Sequence, residues 1–121
     1  MHAITWFEIP ATDFNRAIRF YETLLGIRLK IEDAFPDMAI WPGEREHVRG
    51  CVLLMKEARP HADGVRIYLD AGASLTPVLA RLEAAGGKLV MPTMKISDEI
   101  GHIALVADTE GNVVGLHAPR A

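Results

Sequence analysis

The sequence holds one cysteine, Cys51, so no internal disulfide can staple the chain. Cys51 sits in an apolar strand pattern with no low-pKa setting around it, which makes it a small buried hydrophobe rather than a nucleophile. No basic cluster accompanies the formal charge of −3, so the electrostatic footprint of a nucleic-acid binder is missing. No apolar run approaches the roughly 20 residues that span a bilayer. The opening MHAITWFEIP lacks the basic start and long apolar core of a signal peptide, and a soluble, cytoplasmic protein is the expectation. No nucleophile elbow, Walker loop, dinucleotide glycine fingerprint or paired-cysteine motif is present; Gly86-Gly87 reads as a helix stop and Gly111 as a turn.

At 121 residues the chain suits one domain with a single core, and its composition, 50% hydrophobic and 24% charged, is ordinary globular usage. Ile4 to Ile9 alternates and is rich in β-branched and aromatic residues, which predicts a strand ended by Pro10. Asp13 stands as N-cap of a helix whose apolar face is Phe14, Ala17, Ile18, Tyr21, Leu24 and Leu25, with Gly26 as its stop. Strands are expected at Ile27 to Ile31, Met38 to Trp41 and Gly50 to Lys56, with Glu44 to His47 a charged, solvated loop or, alternatively, a lid over a pocket.

A linker at 58–63, carrying Pro60, separates a first module of about 1–57 from a second of about 64–121. The plan then repeats. Val65 to Asp70 reads as a strand, and Ser74 as N-cap of a helix with Pro77 in its first turn and apolar residues Leu75, Val78, Leu79, Leu82 and Ala85. Leu89 to Met91 reads as a strand stopped by Pro92. A shift of 61 residues lays Phe14 on Leu75, Ala17 on Val78, Ile18 on Leu79, Tyr21 on Leu82 and Gly26 on Gly87. Matching apolar faces and matching stops imply an internal duplication of two βαβββ units. The fold class is therefore α+β: two modules forming a cupped mixed sheet with helices on its outer face.

The chain closes on a hairpin, with His102 to Ala107 and Val113 to His117 as strands and Asp108-Thr109-Glu110-Gly111-Asn112 as the turn. This D-x-x-G-N hairpin, together with the opening FEIPATDFNRAIRFYETLLGIRL, resembles the two ends of the vicinal oxygen chelate superfamily, which contains glyoxalase I, bleomycin-resistance and extradiol-dioxygenase proteins. The resemblance covers the whole chain and implies a ligand site in the concave sheet surface. It also implies where metal ligands would stand, and those positions fall on Trp6, near Gly64, within Val52 to Met55 and on Gly115. None of these offers a suitable donor, since glycine has no side chain and the indole nitrogen only donates. The resemblance thus points to the scaffold without its usual metal, and no other cofactor is implied.

Strand alternation assigns side chains to the inner face that the resemblance implies. Trp6 goes with Glu8, Arg66 with Tyr68, and Gly115 with His117, so these six are the candidate ligand-binding residues. Glu8 is the candidate general base, and a salt bridge to Arg66 is its structural alternative. Trp6 and Tyr68 suit either core packing or stacking on a flat organic ligand. His102, His117 and Glu8 form the one tempting metal set, while His2, His47 and His61 read as surface residues.

Two functions fit. One is a metal-free protein that binds a small organic ligand or substrate, either sequestering it or transforming it with Glu8 as base. The other is a divalent-metal-dependent lyase or isomerase resembling lactoylglutathione lyase, with an unusual ligand set. No nucleic-acid or membrane partner is expected. A homodimer is, because two small sheets leave edges and apolar surface that so short a chain can hardly cover.

Overall fold

Helix α1, Phe14–Leu25, begins where Asp13 accepts the Arg16 backbone N–H at 3.1 Å and ends where Gly26, at φ 66°, turns its N–H back to the Glu22 carbonyl. The buried stripe between those caps is Ala17, Phe20, Tyr21 and Leu24. In the computed structural model, which describes residues 2–121, this helix follows β1 (Trp6–Pro10) and leads to β2 (Lys30–Glu32), β3 (Phe35–Ile40) and β4 (Arg49–Leu53). The second half repeats the order with β5 (Tyr68–Asp70), two short helices α2 (Thr76–Ala80) and α3 (Leu82–Ala85), then β6 (Lys88–Ser97), β7 (Gly101–Ala107) and β8 (Val113–Ala118). Each half forms a four-stranded sheet, in the orders β1-β4-β3-β2 and β5-β8-β7-β6. In both, the first strand runs parallel to the fourth and the remaining pairs are antiparallel, so the duplication seen in the helix faces extends to the strand connections.

Alternation splits each sheet into a helix-facing side and an inner side. Ile9, Ala39 and Val52 of the first sheet and Leu69, Val106, Val114 and Leu116 of the second join the buried faces of the helices in one continuous core. No helix among the described residues is long and apolar enough to cross a membrane.

Several elements depart from expectation. The helix of the second half starts at Thr76 with Leu75 as its cap residue, and no side chain caps it; Ser74 is instead drawn into a backbone bridge with Arg120. It also breaks at Arg81, whose backbone N–H bonds back to the Leu79 and Val78 carbonyls. Strand β6 runs through Pro92 rather than stopping there, because it lies at a sheet edge and pairs only with β7, where a residue without an N–H is tolerated beside register shifts. Regular pairing begins only at Tyr68 in β5 and stops at Leu53 in β4, leaving Leu54 and Met55 exposed.

The hairpin turn does more than reverse the chain. Asp108 accepts the backbone N–H groups of Glu110 and Asn112, the Asn112 side-chain amide at 2.8 Å and the Tyr21 hydroxyl at 2.7 Å. Asn112 also donates to the Pro10 carbonyl, at 2.8 Å, and Glu110 accepts the backbone N–H groups of Thr12 and Asp13 and the Arg16 guanidinium. A turn of the second half thereby holds β1 and the start of α1 in the first.

Candidate functional site

Strand β1 sends Trp6 and Glu8 to the inner side and Phe7 and Ile9 toward the core. The Trp6 indole N–H donates to Glu8 Oε2 at 3.3 Å, as two residues on one face of a strand can. Glu8 stands in register with Cys51 of β4. Burial and, after it, the Glu8 charge push the Cys51 thiol up to about 11, so it stays protonated and inert at neutral pH.

In the second sheet Tyr68 is in register with Gly115, and Asp70 with His117. A Cβ placed on Gly115 would lie 2.1 Å from Tyr68 Cδ1, so the phenol ring lies directly over the glycine and occupies the space a side chain there would need. Asp70, on this same face, was not singled out by the sequence. His117 donates its Nε2 proton to the Ile100 carbonyl, and His102 hydrogen-bonds through Nδ1 to the Pro119 carbonyl at 3.2 Å. His102 faces Ala118 across the ladder while His117 faces Ile103; neighbours in such a ladder alternate sides, so the two imidazoles point to opposite faces.

These positions do not suit a family metal. The indole of Trp6 is a donor, Gly115 lies beneath the Tyr68 ring, and Gly64 sits in the loop ahead of β5. Among the described residues no three His, Cys, Asp or Glu side chains converge.

Of the six candidate residues, Arg66 and Tyr68 border one cavity, Glu8 borders another, and Gly115 is buried beneath the Tyr68 ring. A large cavity, about 710 Å3, is walled by Phe7, Trp41 and Ile27 of the first half and by residues 65–70 of the second, with Arg66 and Tyr68 among them. Its wall from β1 is thus Phe7, on the opposite face from Trp6 and Glu8. A smaller cavity of about 300 Å3 is where Glu8 is found, beside Ile67, Asn112 and Val113. Trp6, Gly115 and His117 line neither. Among the described residues Glu8 and Arg66 form no ion pair. His47, in the charged loop, also borders the large cavity. Phe7 and Trp41, whose rings meet edge to face at 5.1 Å, were not singled out as site residues, since each reads in the sequence as one more apolar strand residue.

Two repeated βαβββ units, each a four-stranded sheet with the same strand order, match the architecture of the vicinal oxygen chelate superfamily. Within it, the family model described as Glyoxalase-like domain matches residues 6–117, and the chain belongs to that family. Solved structures agree on the fold. A glyoxalase/bleomycin resistance protein from Albidiferax ferrireducens T118 superposes with a TM-score of 0.76 at 16% identity, over 97% of this chain and 98% of that one. A glyoxalase-related enzyme from Fulvimarina pelagi gives 0.71 at 17% identity, covering 98% and 88%. The V278E mutant of glyoxalase I from Zea mays gives 0.71 at 20% identity, covering 94% of this chain and 45% of that one. No curated protein matches the chain in sequence.

Proposed function

We propose that this glyoxalase-like protein binds a small organic molecule without a divalent metal, in the cavity between β1 and the segment that opens the second half. The observation that carries the reading is the cavity itself: about 710 Å3, mostly apolar, with aromatic walls from Phe7 and Trp41 and few polar groups, which is the profile of a small-molecule site. Glu8 is the candidate base for a ligand that reaches past Val65 and Ile67, which line both cavities, into the smaller one that Glu8 borders. The alternative, a divalent-metal-dependent lyase or isomerase, would need oxygen or nitrogen donors around an open coordination position, and the Tyr68 ring over Gly115 speaks against it.

The test is a thermal-shift and Trp-fluorescence screen of small organic acids, aromatics and thiol conjugates, run with and without a strong chelator. Ligands should raise the melting temperature equally in both, and the chelator alone should not move it. Stoichiometric nickel, zinc or iron retained through purification, or binding that appears only on adding metal, overturns the reading.

A single cytoplasmic domain that pairs as a homodimer completes the proposal. Leu89, Val90, Met94 and Ile96 are exposed on or beside the β6 edge, which supports pairing. A monomer in sedimentation at high micromolar concentration would count against it.

A further inference from the structure

The polar side chains around the large cavity are few: Arg66, His47, Asp70 and the Tyr68 hydroxyl. Arg66 contributes a guanidinium that, among the described residues, has no carboxylate partner. His47 Nδ1 accepts the Glu44 backbone N–H at 3.0 Å, so a neutral His47 ring carries its proton on Nε2 and offers a donor. Asp70 is the one acid in the lining; its Oδ1 accepts the Gly72 backbone N–H at 2.8 Å but the carboxylate keeps its charge, so an anionic group must seat at Arg66 and away from Asp70. The remaining wall is aromatic or aliphatic, with Phe7, Trp41 and Ile67 presenting flat, apolar surface.

We propose that the cavity takes an organic monoanion, an aryl or branched aliphatic carboxylate, with its apolar body against Phe7, Trp41 and Ile67 and its carboxylate at Arg66 and His47. The inference rests on the reading of this cavity as the ligand site. A guanidinium fork matches a carboxylate in two parallel hydrogen bonds, and a point-charge cation such as lysine does not. Arg66 is exposed at the cavity's edge, so its attraction for an anion acts across partly solvated surface and is modest. An organic cation would meet an unneutralised positive charge at the same place. A neutral ligand of the same shape would gain the apolar contacts alone.

Calorimetric titration of phenylacetate and indole-3-acetate against phenylacetamide and indole-3-acetamide separates these cases. Each carboxylate should bind about tenfold or more tightly than its amide, the size of one charge-assisted contact at a half-open site. Raising the salt concentration should narrow the gap. Arg66→Gln, a change at an exposed position, should bring carboxylate and amide to parity, and Arg66→Lys should restore part of the difference. Equal binding of acid and amide by the wild-type protein, or an acid preference that survives Arg66→Gln, overturns the proposal while leaving the cavity as the ligand site. Failure of all four probes to bind overturns both.

Discussion

The Tyr21 hydroxyl, on a side chain fully buried in α1, donates to Asp108 Oδ2 at 2.7 Å across 87 positions of sequence. Burial first, and then the neighbouring Asp108 charge, raise the Tyr21 pKa well above its ordinary value, so the phenol remains a donor. Tyr21→Phe keeps the ring's packing against Phe20 and Trp41 and removes only this bond. Asp108 would keep its other donors, so the loss should be about 1–2 kcal/mol in urea denaturation with an unchanged slope. Asp108→Ala leaves the phenol, the Asn112 amide and two backbone N–H groups without their acceptor, and should cost more than about 3 kcal/mol. If Tyr21→Phe is neutral, the bond contributes nothing to joining the halves.

Glu110 makes the joint sensitive to acid. Burial alone would raise its pKa, but the Arg16 guanidinium, the Asp13 and Thr12 backbone N–H groups and the Thr109 hydroxyl outweigh that and hold it at about 2. A carboxyl depressed in the folded state stabilises above its unfolded value, near 4.5, and that contribution disappears as pH falls toward 2. The loss over this window should be about 1–2 kcal/mol, because the Arg16 guanidinium that pairs with the carboxylate is itself half-exposed and screened by solvent. Glu110→Gln should be less stable at pH 7 and show a flatter stability profile between pH 4.5 and 2. Parallel profiles for the two proteins would show that another carboxyl governs the acid limb.

The same turn shows how far the sequence could be followed. Local chemistry announced a reversal at Asp108-Thr109-Glu110-Gly111-Asn112, and 3.6-residue periodicity announced the helix faces, because both depend on neighbours within a few positions. That Glu110 would clamp Thr12, Asp13 and Arg16 depends on how two halves dock, and an acidic residue in a turn looks the same whether it is solvated or sealed. The site was partly legible for a similar reason. Parity placed Trp6 with Glu8 and Gly115 with His117, but not the Tyr68 ring across Gly115, which is a rotamer choice. Nor could parity place Phe7 and Trp41 at a cavity, because the gap between the halves opens on the core-facing side of β1.

Tyr68 and Gly115 should show strong coupling. Any side chain on Gly115 must displace the phenol, so Gly115→Ala should cost about 1–3 kcal/mol, and much of that should vanish when Tyr68→Ala is made with it. By the same geometry, Gly115→Glu with Trp6→His should not raise affinity for divalent metal until Tyr68 is also cut back. Calorimetric zinc or nickel titration checks this, and a double variant that already binds tightly would show that the Tyr68 ring swings aside freely.

Glu8 separates structure from function most directly. Its carboxylate is exposed, accepts a hydrogen bond from the Trp6 indole and, among the described residues, forms no ion pair, so a buried ion pair is not at stake. Glu8→Gln keeps an oxygen that can still accept from Trp6, and the change should alter stability by less than about 1 kcal/mol. It also removes one of the two causes that raise the Cys51 thiol, the other being burial, so alkylation of Cys51 at alkaline pH should quicken slightly while remaining slow. With stability fixed in this way, a loss of ligand binding or turnover in Glu8→Gln can be assigned to the carboxylate itself. Unchanged binding and turnover would remove Glu8 from the site, leaving the Phe7 and Arg66 cavity to act without it. A stability loss of several kcal/mol would mean that Glu8 is held by a partner other than Trp6, contrary to its exposure.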